Sequence, residues 1–195
     1  MKYMYETHCH TAESSRCASI SAAEQVRIYK DLGYTGIIVT DHFINGNSSV
    51  SKLSRKSWEE KIYKFARGYE SAKKAGDACG LDVFFGWEYS FFGRHILTYG
   101  PGIDFLLRHP YICKLNLREY CNLIRANGGY TAQAHPYRTV INMRRHPINS
   151  MFVDGIEVYN AKMSDNPIDG VEVGCRGYNR RQFHRRGTGC YVRLR

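Results

Sequence analysis

His8 and His10, one residue apart in Glu6-Thr7-His8-Cys9-His10-Thr11, are spaced to chelate a metal ion if the segment is a strand. Alternate strand residues point the same way, so Glu6, His8 and His10 would share one face, and Thr7 and Cys9 the other. Neutral imidazole is a common metal ligand, and a carboxylate beside it, here Glu6, holds a ring nitrogen in the ligand tautomer. An isolated His-x-His is weak evidence, because buried histidines are often satisfied by hydrogen bonds alone. Further residues of ligand type strengthen it: Glu13, His42, Glu88, His95 and His135. Imidazole and carboxylate together suit zinc, manganese or iron, and a carboxylate such as Glu88 can bridge two ions. Asp41 reads as a support behind His42, not as a ligand. Arg138, three residues past His135, is placed to meet a substrate phosphate with two parallel bonds. The chain has neither a Gly-x-Ser-x-Gly elbow nor a P-loop, so no serine-hydrolase or nucleotide motif competes.

These residues need elements to bring them together. The segment 2–7 reads as a first strand, and 21–32 as an amphipathic helix that Gly33 ends. Residues 35–40 form a buried strand with Asp41-His42 at its carboxyl end, completing a β-α-β unit. A long helix over 57–79 carries Trp58, Ile62, Phe65 and Tyr69 at helical spacing, a packing stripe. Strands follow at 81–88 and 94–99, a helix at 116–127 stopped by Gly128-Gly129, and strands at 130–134 and 153–159. Such alternation implies a parallel sheet with helices outside, and the candidate ligands fall almost all at strand carboxyl ends. In a barrel those ends converge on one mouth.

With 195 residues and 43% hydrophobic content, the chain is sized for one domain with a real core. No apolar run is long enough to span a bilayer, and no signal peptide is seen, so a soluble, cytoplasmic protein without a membrane partner is expected. Seven cysteines without a Cys-x-x-Cys pair suggest reduced thiols, not a disulfide framework or zinc ribbon. The net charge of +10 invites a nucleic-acid reading, but it is concentrated in one place. Residues 174–195 carry seven arginines and no acid, whereas residues 1–173 carry a net of +3.

Several motifs together resemble the polymerase and histidinol phosphatase (PHP) family of metal-dependent phosphoesterases. They are His8-Cys9-His10-Thr11, Thr40-Asp41-His42, Gly86-Trp87-Glu88-Tyr89 with His95, and Ala134-His135-Pro136, followed by the strand Asp154-Gly155-Ile156-Glu157-Val158-Tyr159-Asn160. The resemblance implies a distorted (β/α)7 barrel with two to three divalent ions of zinc, manganese or iron. It would place His8, His10 and Glu88 on one ion, Glu88, His95 and His135 on a second, and His42 with Glu13 on a third. Glu157 and Asn160 either support this site or cap the strand end. The implied activity is hydrolysis of a small phosphorylated substrate by metal-activated water, as a phosphoric ester hydrolase.

The resemblance runs to about residue 169. A late Ser-Asp-x-His element, which the family uses to close its site, is absent, and Ser164-Asp165-Asn166 reads as a loop. An incomplete α/β barrel over 1–173 and an atypical Arg/Gly-rich tail over 174–195 are therefore expected, with an open seam of strand edges. The tail is either a basic arm for a polyanion or an altered carboxyl terminus, and the abrupt change of character favours the latter. Two other functions stand beside the enzyme: a metal-binding remnant or interaction module that has lost catalysis, and a nucleic-acid binder acting through the tail.

Overall fold

The computed structural model describes residues 3–51, 55–136, 139–140, 143–144, 148, 151–160 and 191–194. Strand β1 (Tyr5–Cys9) leads through helix α1 (Ala22–Asp31) to β2 (Gly36–Val39), and helix α2 (Trp58–Cys79) leads to β3 (Asp82–Phe91). Then come β4 (Arg94–Tyr99), α3 (Ile103–Arg108), a single 3₁₀ turn (Ile112–Lys114), α4 (Leu117–Ala126) and β5 (Tyr130–Ala134). A two-stranded ribbon of β6 (Thr139–Val140) and β7 (Met143–Arg144), then β8 (Gly155–Tyr159) and β9 (Tyr191–Leu194), complete the order.

Local chemistry explains the helix boundaries. Ser57 caps α2 and Glu60 returns the bond to the Ser57 N–H, a reciprocal capping box that Asn116 and Glu119 repeat on α4. Gly80 ends α2 in the left-handed region at φ 70°, where a side chain is disfavoured. The β3–β4 hairpin turns on Phe92 and Gly93, both at positive φ, the pattern of a two-residue turn that matches the strand twist.

The seven-stranded sheet runs β1-β2-β3-β4-β5-β8-β9. Its first three strands are parallel, as the β-α-β reading requires, but β4 is antiparallel to both β3 and β5, and β9 is antiparallel to β8. The expected all-parallel sheet is thus corrected to a mixed one. The reason is local: a two-residue turn cannot make a parallel crossover, so the strands it joins must pair antiparallel. The sheet curls into an incomplete barrel, with β9 beside β1 but no ladder between them among the described strands. Tyr99 Oη on β4 donates across to the Thr7 carbonyl on β1 at 3.0 Å.

Two apolar layers cover the outside of the sheet. Trp87, Tyr89 and Ile96 pack with Ile62, Phe65, Leu106, Tyr120 and Ile124, and Cys9, Ile37 and Val39 pack with Val26, Tyr29 and Ala72. Fully burying each large apolar side chain contributes about 1.5–3 kcal/mol, so this outer layer is the main source of stability. The expected α2 stripe belongs to it: Ile62 and Phe65 are buried, Trp58 and Tyr69 pack alongside, and the Trp58 indole donates to the Leu106 carbonyl. The inner apolar cluster is small, Leu97 with Ala132 and Ala134, which leaves the interior to polar side chains. No helix among the described residues is long and apolar enough to cross a membrane. The expected boundary at 173/174, Arg138, Ser164-Asp165-Asn166 and most of the basic tail lie outside the described residues. The part of the tail that is described, 191–194, forms β9.

Candidate metal centre

Glu88 is fully buried and five imidazoles surround its carboxylate. Oε1 lies 2.7 Å from His95 Nδ1, 3.2 Å from His135 Nε2 and 3.5 Å from His8 Nε2, while Oε2 lies 2.7 Å from His42 Nδ1 and 3.5 Å from His10 Nε2. Each arrives from a different part of the sheet. His8 is in β1 and His10 just after it, His42 just follows β2, and His135 just follows β5. Glu88 and His95 correct the expectation that ligands cap strand carboxyl ends. Glu88 lies inside β3, which continues into the hairpin, and His95 lies at the start of the antiparallel β4.

A β-bulge in β1 sorts the first motif. Glu6 pairs with Ile37 and Cys9 with Val39, so β1 holds one more residue than β2 over this stretch. Strict alternation fails there. Glu6 turns towards α1, where it accepts from Tyr29 Oη at 3.0 Å and from the His8 backbone N–H at 2.8 Å. The expected role of Glu6 on a ring nitrogen is therefore filled by another carboxylate: Glu157, in β8, takes His8 Nδ1 at 2.8 Å and the His135 N–H at 2.6 Å. Asn160 donates to both Glu157 oxygens. His135 itself sits at φ 29°, a left-handed conformation uncommon for a side-chain-bearing residue.

Ser15 fixes His10. Its hydroxyl donates to Asp41 Oδ1 at 2.6 Å, and its oxygen receives the His42 N–H at 2.9 Å. That single hydroxyl proton is spent, so His10 Nδ1, 3.1 Å away, must be the donor in their bond. Asp41 also accepts from the Thr11 N–H and Thr11 Oγ1, each at 2.7 Å, and so supports the loop behind His10 and His42. Burial raises the Asp41 carboxyl to about 6 against the lowering effect of Ser15 and Thr11.

With Nδ1 of His8 on Glu157 and Nδ1 of His10 on Ser15, both rings turn Nε2 inward, and these atoms stand 3.0 Å apart. Two lone pairs at that separation need a proton or a cation between them. The charges agree. Burial opposes ionisation of Glu88, but His8, His135 and His42 outweigh it and hold its carboxyl well below the usual range. Burial likewise opposes protonation of His8, yet Glu157 and Glu88 push it well above its ordinary value. For His42, burial is outweighed by Cys17 and Glu88, which raise it to about 9. His135 goes down, because burial and the neighbouring charge of His8 outweigh the pull of Glu88 and Glu157.

The donor set fits divalent ions. His8, His10 and Glu88 form one close-set group and His42, Glu88 and His95 another, each with its ligand atoms within 4.8 Å. His42 Nδ1 and Glu88 Oε2, though 2.7 Å apart, are not aligned for a hydrogen bond and are buried polar atoms left without one, which a shared cation would satisfy. Glu13 is placed elsewhere: both its oxygens accept from the Ala22 N–H, capping α1. Ser15 and Cys17 are additions that the sequence did not mark, since a Ser-Ser-Arg-Cys loop carries no ligand spacing of its own.

No protein-family model matches the sequence, and no curated protein matches it. The fold does match solved structures. A Bifidobacterium adolescentis protein described as a candidate metal-dependent phosphoesterase aligns with a TM-score of 0.58 over 87% of this chain and 80% of its own, at 14% identity. A two-domain Bacteroides vulgatus protein containing a predicted PHP-like metal-dependent phosphoesterase aligns with a TM-score of 0.51 at 12% identity, over 69% of this chain and 35% of its own. At these identities the likeness shows a shared fold.

Proposed function

We propose that this chain, which shares its fold with PHP-like metal-dependent phosphoesterases, hydrolyses phosphate esters at a cluster of two to three divalent ions of the zinc, manganese or iron class. The observation that carries the reading is the single buried carboxylate of Glu88 within 3.5 Å of five imidazoles. His8, His95 and His135 face one oxygen of Glu88, and His10 and His42 face the other. Ions bound there would lower the pKa of an attacking water and neutralise charge developing on the phosphoryl oxygens.

The chain's own residues prepare that site. Glu157 and Ser15 hold the Nδ1 protons of His8 and His10 and leave both Nε2 lone pairs free to ligate an ion. The surrounding imidazoles keep Glu88 ionised despite its burial. Asp41 fixes the loop after β1, so the first two histidines meet an ion already oriented. The substrate in this reading is a small phosphorylated molecule, with Arg138 offered for its phosphate.

The test is metal analysis joined to activity. The full chain, dialysed against zinc or manganese, is expected to retain ions and to release phosphate from members of a phosphomonoester panel. His8→Ala and His135→Ala should lower both metal content and rate. Unchanged metal content in both variants would overturn the reading.

A further inference from the structure

Cys17 stands at the edge of the centre in a way the ligand set above does not use. Its thiol sulfur, a ring nitrogen of His42 and a ring nitrogen of His10 all lie within 4.8 Å of one another. His10 and His42 also belong to the two groups around Glu88, whereas Cys17 belongs to this one alone. Cys17 is exposed while His42 is buried, so the group spans from the interior to the rim of the mouth.

The loop holds the sulfur there. On the amino-terminal side, Ser15 is bonded to Asp41 and to the His42 N–H, and the Arg16 N–H donates to the Asn47 carbonyl at 3.0 Å. On the other side, the Ala18 N–H donates back to the Ser15 carbonyl at 3.2 Å. Glu13, the carboxylate of the same loop, is turned away to the start of α1. Beside the His42 ring the loop therefore presents a thiol in place of a carboxylate.

We propose that Cys17 is the thiolate ligand of a rim site, with His42 as its imidazole ligand and His10 alongside, that takes a thiophilic divalent ion such as zinc. The inference rests on the metal-centre reading above and specifies it. Thiolate with imidazole selects zinc over manganese and magnesium, whereas the carboxylate-centred group at Glu88 accepts a wider range. The exposed side of the sulfur leaves the rim ion a position open to solvent or substrate, as in zinc sites that keep a free coordination place. Binding releases to solvent the thiol proton and any proton on the ligating ring nitrogen, and no other bond changes.

Cobalt separates the two readings, because thiolate ligation adds a near-ultraviolet charge-transfer band that imidazole and carboxylate ligation lack. The metal-stripped full chain titrated with Co(II) is expected to show visible ligand-field bands together with that band. Cys17→Ala should abolish the near-ultraviolet band and keep the visible ones, and zinc retained after dialysis should fall by one equivalent per chain. Cys79→Ala and Cys113→Ala should change neither. Visible bands without the near-ultraviolet band in the unaltered chain, or persistence of that band in Cys17→Ala, would overturn the inference while leaving the Glu88 centre standing. Absence of both bands in the unaltered chain would overturn the metal centre and the rim site together.

Discussion

His8 and Glu157 are joined ring to carboxylate, Nδ1 to Oε1 at 2.8 Å, across 149 residues of sequence. The same carboxylate receives the His135 N–H, so Glu157 orients one histidine by its ring and another by its backbone. It leaves Nε2 of His8 facing the cluster. Removing the charge while keeping the shape should disturb both. Glu157→Gln is expected to weaken metal affinity about 10–100-fold, the usual cost of losing a carboxylate behind a histidine ligand. Competition with a coloured chelator measures it, and an affinity equal to the parent's would remove Glu157 from the site.

That pair also marks the boundary of what the sequence disclosed. His8, His10, His42, Glu88, His95 and His135 were legible because each sits beside a strand pattern, and strands bring distant residues to one place. Glu157 was legible only as one of two readings, since a polar residue near a strand end also serves as a cap. Glu6 was misassigned because a one-residue bulge reverses the alternation, and nothing in Glu6-Thr7-His8-Cys9 announces a bulge. Ser15 and Cys17 could not be read at all. Their placement depends on a loop whose bonds go to Asp41, His42 and Asn47, contacts made only once the sheet is assembled. The mixed sheet was half visible: the strands at 81–88 and 94–99 were separable in the sequence, but the two-residue length of the turn between them decides the strand direction.

Gly68 permits the close approach of α2 to that loop. A methyl group there would stand 2.1 Å from Thr11 Oγ1 and 2.6 Å from Asp41 Oδ2, distances that no packing tolerates without movement. Helix propensity alone would make Gly68→Ala stabilising. Here overpacking against the Asp41 network should win, with a loss of about 1–3 kcal/mol. Thermal unfolding tests the sign, and a raised melting temperature would refute the argument. Metal content should fall with stability, because the displaced loop carries His10.

Tyr120, on α4, ties β3 and β4 together through one hydroxyl. The Trp87 indole N–H donates to Tyr120 Oη at 2.7 Å, and Tyr120 in turn meets Thr98 Oγ1 at 2.6 Å. Its ring stacks on Tyr89 with centroids 4.0 Å apart. Tyr120→Phe keeps the stack but strands a buried indole donor. We expect a loss of about 1–3 kcal/mol in denaturant unfolding, the cost of an unsatisfied buried polar group. Little change would mean that the Trp87 donor finds another partner.

Asp154 ties α4 to β5 just before β8 begins, and it does so only when ionised. Oδ1 accepts from Arg125 Nε at 2.6 Å, and Oδ2 accepts from the Thr131 N–H at 2.8 Å and Thr131 Oγ1 at 2.7 Å. Burial works against the charged form, but Arg125 and Thr131 outweigh it, so the carboxyl is held below its ordinary value. A folded-state pKa below the unfolded one, which lies at about 3.9, means that the unfolded chain binds the proton more readily. The stabilisation is therefore present in full above the unfolded value and is lost as pH falls through the folded one. Asp154→Asn should remove this contribution and flatten the acid limb of the stability profile. It should also leave Arg125 with less to hold, since its remaining bonds run to the Phe152 carbonyl and the Asn122 side-chain oxygen. Urea midpoints for the two proteins should thus differ at neutral pH and converge towards acid. A difference that grows as pH falls would show that the group is not ionised in the folded chain.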